Sequence, residues 1–204
     1  HLAPPVHPDL RAGGGITPVE DKAGIPNSVL FCCDHNAIRS PMAEGMMKKF
    51  YGRAAYVQSA GVRNDMEVDG FAIAVCKEIG VEISTHRSRS FEEMKEWGDD
   101  LGSFDLVVAL SPASQRQALE LTRVSHLDVE YWPIMDPTGM AESREARLGV
   151  YRQVRDHIRS RMLARFGPAL DVENDTSVEW MAGFDPARVA DRRSGIVERG
   201  RANS

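Results

Sequence analysis

Cysteine is scarce in this chain: Cys32, Cys33 and Cys76 are the only three among 204 residues. So low and odd a count excludes a disulfide-built scaffold. It fits a reducing compartment, where a thiol more often serves chemistry than cross-linking, and a cytoplasmic location is the expectation. Long apolar runs are missing as well. No stretch approaches the roughly 18 to 20 apolar residues of a membrane span, and no basic segment followed by an apolar one reads as a signal peptide. Basic charge is not in surplus. With 25 Lys and Arg against 30 Asp and Glu the net charge is -5, a poor basis for binding nucleic acid, which rests on neutralising phosphates. No Cys/His cluster has ligand spacing, so neither a metal nor another cofactor is expected.

What remains divides into a patterned middle and two plain ends. Residues 1–27 hold five of the 11 prolines and the run Gly13-Gly14-Gly15. They offer too little apolar surface to offset the entropy of ordering them, and they read as a flexible extension. Residues 169–204 are mixed and charged and read as a second extension, a mobile tail. Trp180, Met181 and Phe184 could dock it on a surface. Between them, in 28–168, short apolar runs alternate with helical patterns. SVLFCC (28–33), AYVQS (55–59), FDLVVAL (104–110) and LDVEYWP (127–133) read as buried strands. Helices are expected over 41–50, with Pro41 in the first turn, over 68–79 before Gly80, from about Ser114, and over 143–165 before Gly167-Pro168. Strands alternating with helices predict an α/β fold, a four-stranded parallel sheet with helices on both faces. Arg152, Arg155, Arg159, Arg161 and Arg165 read as the solvated face of the last helix.

In such a sheet, sites form at the carboxyl ends of strands beside helix N-termini. Cys33 ends the first strand. Asp34, His35, Asn36, Ala37 and Ile38 then lead to Arg39, Ser40 and the helix. A short loop entering a helix turns backbone N–H groups inward as a nest for an oxyanion, and Arg39 adds a planar fork for two of its oxygens. The same field favours a thiolate at Cys33. A thiolate beneath a bound phosphate is a nucleophile ready to attack phosphorus. Asp136-Pro137 follows the fourth strand, on the same sheet edge, where an acid is needed for the departing oxygen.

VLFCCDHNAIRS (29–40) with PMAEG after it, SAGV (59–62), EIGVEISTHRSR (78–89), FDLVVAL and Asp136-Pro137 together resemble the low-molecular-weight protein tyrosine phosphatases and the related thioredoxin-linked arsenate reductases. The resemblance implies a two-step, metal-free hydrolysis through a phosphocysteine. By it Cys33 is the nucleophile and Arg39 the phosphate-binding arginine. Ser40 is the hydroxyl that steadies the thiolate, and Asp136 the general acid that later activates water. Asn36, Ser59 and His86 form the network that holds the loop. Phosphate, vanadate and arsenate are the expected oxyanion ligands. A phosphorylated protein or a small aryl phosphate is the expected substrate.

The chain also departs from that family. His35 stands where members usually carry Gly, either as loop filler or as part of the pocket mouth; a position needing positive φ would make it unusual. Ala37 matches neither the bulky Ile of tyrosine-directed members nor the Thr of phosphoarginine-directed ones. Thr138-Gly139 follows Asp136-Pro137 in place of tyrosines. Thioredoxin-linked reductases have two further cysteines after the third strand, whereas LSPASQRQ (110–117) has none. Arsenate reduction with an external thiol, and a module that binds a phospho-group without turning it over, are therefore the alternatives. Cys32 and Cys76 read as buried core residues. Met42, Met46 and Met47 read as core filler, and His126 and His157 as solvent-facing.

Overall fold

The computed structural model describes residues 24–170. Trp180, Met181, Phe184 and most of the two expected extensions lie outside the described residues. Four strands, β1 (Ser28–Cys33), β2 (Tyr56–Gly61), β3 (Leu106–Ala109) and β4 (Asp128–Tyr131), form one parallel sheet in the order β2-β1-β3-β4. The register sets Cys33 opposite Gly61 and Cys32 opposite Ala109. The strand order switches between β1 and β3, from which the connections lead to opposite sides of the sheet, so the crevice at their carboxyl ends is where such a fold holds a ligand.

Period-two alternation decides what each face buries. Val29, Phe31 and Cys33 pack with Met42, Met46 and Met47 of helix α1 (Arg39–Tyr51). The same face takes Ala72, Val75 and Cys76 of α2 (Gly70–Lys77) and Ile158 and Met162 of α5 (Arg144–Phe166). Leu30 and Cys32 point the other way, onto Phe91 and Met94 of α3 (Phe91–Glu96) and Ala118 and Leu121 of α4 (Pro112–Leu121). Trp132 joins the first cluster and Tyr131 borders the second, as alternation requires. The three methionines of α1 are fully buried. Each such side chain contributes about 1.5–3 kcal/mol through burial. His126 and His157 are exposed.

Caps set the helix ends. The Asp69 carboxylate accepts from the N–H groups of Phe71 and Ala72, at 2.8 and 3.2 Å, so α2 begins at Gly70 rather than at 68. Gly80 and Gly167, at φ 73° and 90°, close the turns after α2 and α5. Helix α3 has no counterpart among the expected helices. It is only six residues long, too short for a periodic pattern, and its signal is the capping box of Ser90 and Glu93. Helix α1 differs from α2 to α5 in having no side-chain cap. Its first-turn N–H groups therefore remain directed at the loop that precedes it.

One expectation is overturned. The arginines of α5 do not form a solvated face, since Arg155 and Arg159 are buried. Arg152 grips Glu78 with two donors at 2.9 and 2.8 Å, and Arg155 donates to Glu78 at 2.7 Å and to the Val75 carbonyl at 2.8 Å. Those hydrogen bonds and charges hold the Glu78 carboxyl below its usual range. The acidic residue past the end of α2 turns the arginine stripe into a seam between α2 and α5. An arginine can bury its stem while its head is paired.

At the edges of the domain, Ile25 packs against the first core cluster, Ala169 is buried, and the Leu170 N–H donates to Phe50 O at 2.6 Å.

Candidate active site

The 33–40 loop is shaped by one buried side chain. Asn36 lies in the left-handed region, φ 53°, and is fully buried. Positive φ thus falls on Asn36, a residue that tolerates it, and not on His35. The Arg89 backbone N–H, which can only donate, meets Asn36 Oδ1 at 3.0 Å. That fixes the amide orientation, and Nδ2 then donates to Ser40 Oγ at 2.8 Å and Ser59 Oγ at 2.9 Å. His86 Nε2 lies 2.9 Å from the same Oδ1, so it carries a hydrogen. Ser88 Oγ donates to the Asn36 carbonyl at 2.7 Å. The expected trio Asn36, Ser59 and His86 is therefore in contact.

Two residues outside that trio complete the support. Glu44 of α1 is buried beside His86 Nδ1 (3.7 Å), Lys48 Nζ (3.1 Å) and Arg89 Nη2 (3.6 Å). Burial alone would raise its carboxyl. The His86 hydrogen bond and the charges of Lys48 and His86 outweigh that and hold it low. Gly61 is required by close approach, because a Cβ there would stand 2.7 Å from Asn36 N and 2.8 Å from the His35 carbonyl carbon. The single charge within PMAEGMM (41–47) is the available signal for Glu44, and Arg89 closes the run HRSR (86–89).

Inside this frame Cys33 Sγ lies 3.0 Å from Ser40 Oγ. Arg39 is buried. Its Nη1 donates to the Ile134 carbonyl at 3.1 Å, while Nη2 lies 3.6 Å from Asp34 Oδ2 and 3.9 Å from Asp136 Oδ2. One pocket is lined by Cys33, His35, Ala37, Ile38, Arg39, Met66, Asp136 and Thr138. The nucleophile, arginine and acid read from the sequence thus meet in a single cavity. Asp136 Oδ1 accepts from both the N–H (3.0 Å) and the hydroxyl (2.7 Å) of Thr138. Partial burial pushes this carboxyl up, but the Thr138 bonds and the fields of Arg39 and His35 prevail and hold it below the usual carboxylate range. The Asp-Pro-Thr turn was the readable sign of Thr138.

The segment after β2 forms the second wall. Val62 N and Arg63 N donate to the carbonyls of Cys33 and Asp34 at 3.0 and 2.8 Å, and Asp69 N donates to Ala37 O at 2.9 Å. Between these ties Asp65 Oδ1 sits 2.7 Å from His35 Nδ1, and that hydrogen bond lowers the Asp65 carboxyl. Nothing in the sequence marks Asp65, an exposed residue in an irregular segment. Met66 separates the pocket from a wider polar groove of about 490 Å³ between segments 64–68 and 84–88. Cys32 points away from the pocket and donates to Val108 O at 3.6 Å, and burial drives its thiol well up. Cys76 is buried, its thiol pushed up to about 12. Among the described residues no group of three or more His, Cys, Asp or Glu could hold a metal, and no helix is long and apolar enough to cross a membrane.

A parallel sheet with a cysteine-to-arginine loop at the end of its first strand, and an aspartate at the same edge, defines an α/β protein with one pocket beside a helix N-terminus. The chain belongs to the low molecular weight phosphotyrosine protein phosphatase family, whose model matches residues 28–174. It is similar to the arsenate reductase of Bacillus subtilis, 31% identical over 66% of this chain and 91% of that protein. It is also similar to the arsenate reductase of Staphylococcus aureus, 32% identical over 65% of this chain and 90% of that one. Among solved structures, an arsenate reductase in the phosphate binding state is 27% identical. It covers 68% of this chain and 95% of its own, with a TM-score of 0.55. The Erwinia amylovora tyrosine phosphatase shares the fold at 21% identity and a TM-score of 0.52, over 69% of this chain and 94% of its own.

Proposed function

We propose that the protein is a cysteine-dependent phosphatase that hydrolyses phosphomonoesters through a phosphocysteine. The observation that carries this reading is the convergence of Cys33, Arg39 and Asp136 on one pocket, with the Ser40 hydroxyl against the Cys33 sulfur and no second thiol beside it. Arg39 and the N–H groups of the loop hold the oxyanion. Cys33 Sγ attacks phosphorus, and the bond to the leaving oxygen breaks. Ser40 Oγ stabilises the thiolate before attack and after its release. Asp136 handles the proton at the mouth: it gives one to the departing oxygen in the first step and takes one in the second from the water that attacks the phosphocysteine. The neighbouring groove gives a phosphorylated protein segment room beyond the phosphate, and a small aryl phosphate needs none of it.

The similarity to arsenate reductases supports a second reading, since arsenate has the shape and charge of phosphate. Reduction needs a thiol to resolve the cysteine–arsenic adduct. Cys32 lies on the opposite face of the sheet and Cys76 is buried in α2, so that thiol has to come from outside. Purified protein should hydrolyse aryl phosphates, with vanadate and phosphate as inhibitors, and Cys33→Ser should abolish turnover. Arsenate turnover with glutathione in the absence of any Cys33-dependent hydrolysis would replace the first reading by the second.

A further inference from the structure

Asp34, the residue after the nucleophile, puts a carboxylate into a loop whose task is to hold an anion. Its Oδ2 lies 3.6 Å from Arg39 Nη2, closer than the Asp136 Oδ2 at 3.9 Å. Its Oδ1 is shut off from solvent and has no hydrogen-bond partner among the described residues. The Asp34 carbonyl accepts from Arg63 N at 2.8 Å, which ties this part of the loop to the segment after β2. The donors of Arg39 are therefore already engaged by the protein. Nη1 donates to the Ile134 carbonyl at 3.1 Å, and Nη2 faces both carboxylates. Asp136 has a proton to carry in the reaction, and Asp34 has none. An oxyanion entering the pocket must share Arg39 with an anion fixed in the loop, and the repulsion between the two grows with the charge that enters.

We propose that Asp34 is a specificity-determining residue: an internal competitor for Arg39 that ranks oxyanions by charge and loosens the hold on inorganic phosphate. The proposal rests on the phosphatase reading, in which that product has to leave before the next ester enters. The opposite role for the same carboxylate is a brace that only orients Arg39. The two roles differ in sign, because a brace strengthens anion binding and a competitor weakens it. The side chain of Asp34 is 38% exposed, so solvent and salt screen its field without abolishing it.

Ligands of fixed charge test this at a single pH. Perrhenate and sulfate are both tetrahedral oxyanions, the first singly and the second doubly charged. Calorimetric titration of the full chain, at constant ionic strength, gives their Kd for wild type, Asp34→Asn, Asp34→Ala and Asp34→Glu. Loss of the carboxylate charge should tighten perrhenate by about 3-fold and sulfate by about 10-fold, since the gain for two charges is the square of the gain for one. Inorganic phosphate should tighten as well, and its Ki against aryl phosphate hydrolysis should fall by a similar factor. Asparagine and alanine should agree, which removes contacts of the new amide as a cause. Asp34→Glu keeps the charge, so its sulfate-to-perrhenate ratio should stay within about 2-fold of wild type. Weaker binding in both neutral variants, equal gains for the two anions, or a glutamate variant that behaves like asparagine would each overturn the assignment and leave the phosphatase reading in place. A wild type that hydrolyses no aryl phosphate while the charge-squared pattern holds removes the phosphatase reading and keeps the competition at Arg39. Absence of oxyanion binding in wild type and variants alike overturns both.

Discussion

The replacement of Asn36 tests whether one amide holds the catalytic loop. Its side chain makes four hydrogen bonds in a fully buried position, with Ser40, Ser59, His86 and the Arg89 backbone. In Asn36→Ala the two serine hydroxyls can rotate toward other partners, but Arg89 N–H and His86 Nε2 lose their acceptor. Each orphaned buried donor costs about 1–3 kcal/mol. The left-handed backbone at φ 53° adds about 1 kcal/mol for alanine. The sum is about 3–7 kcal/mol, against a total stability on the order of 5–15 kcal/mol. For a chain of this length each kcal/mol moves Tm by about 2–4 °C, so Asn36→Ala should melt on the order of 10 °C or more below wild type. Asn36→Gly loses the same bonds without the backbone strain and should recover about 1 kcal/mol of the loss. Thermal melts of the three proteins, with phosphate titrations alongside, decide it. An Asn36→Ala variant that melts within about 2 °C of wild type would refute the hydrogen-bond argument, and a glycine variant no better than alanine would refute the strain argument.

Iodoacetate should modify native protein at Cys33 alone, because burial suppresses the thiolates of Cys32 and Cys76; mass spectrometry of the alkylated peptides checks this, and added phosphate should slow the reaction. Gly61→Ala would push a methyl group into the backbone of His35 and Asn36; kcat should fall more than about 10-fold, by loop displacement of the kind that costs 10²-fold at 1 Å, with the melting temperature falling too. Glu44 is depressed in the folded protein, so its contribution to stability is complete above its unfolded value and is lost as pH falls through its folded one. Glu44→Gln should therefore destabilise the protein at pH 7, and the gap from wild type should narrow as urea midpoints are followed downward from about pH 5, near the ordinary Glu range.

Periodicity and capping made the sheet legible. SVLFCC has no room for polar alternation, and a strand buried on both faces is the one element that fits six apolar or small residues ended by a loop. The positions of Cys33, Arg39 and Asp136 followed from the rule that sites gather at strand carboxyl ends. The burial of Arg155 is not legible because a charge pattern says nothing about partners on another element, and Glu78 lies more than seventy residues away; Arg159 pairs with Asp156 on its own helix and is buried as well. Asp65 is not legible for the same reason: its contact with His35 is tertiary, and an aspartate in an irregular loop carries no local mark. The frame can be read from local rules. The electrostatics of the site depend on contacts between segments that sequence order keeps apart.

His35 joins these observations. Any side chain is bulkier there than the glycine that members resembling this chain usually carry, and the loop's only left-handed non-glycine residue is its neighbour Asn36, so His35 costs the backbone little. What the imidazole adds is a polar wall tied to the segment that bears Met66, the boundary between the phosphate pocket and the wider groove. That wall does not separate hydrolysis from reduction, because arsenate bound to the cysteine sheds an oxygen as water just as an ester sheds its alcohol. What separates them is the resolving thiol: Cys32 lies on the opposite face of the sheet and Cys76 is buried in α2, so reduction here requires a thiol from outside and hydrolysis requires none.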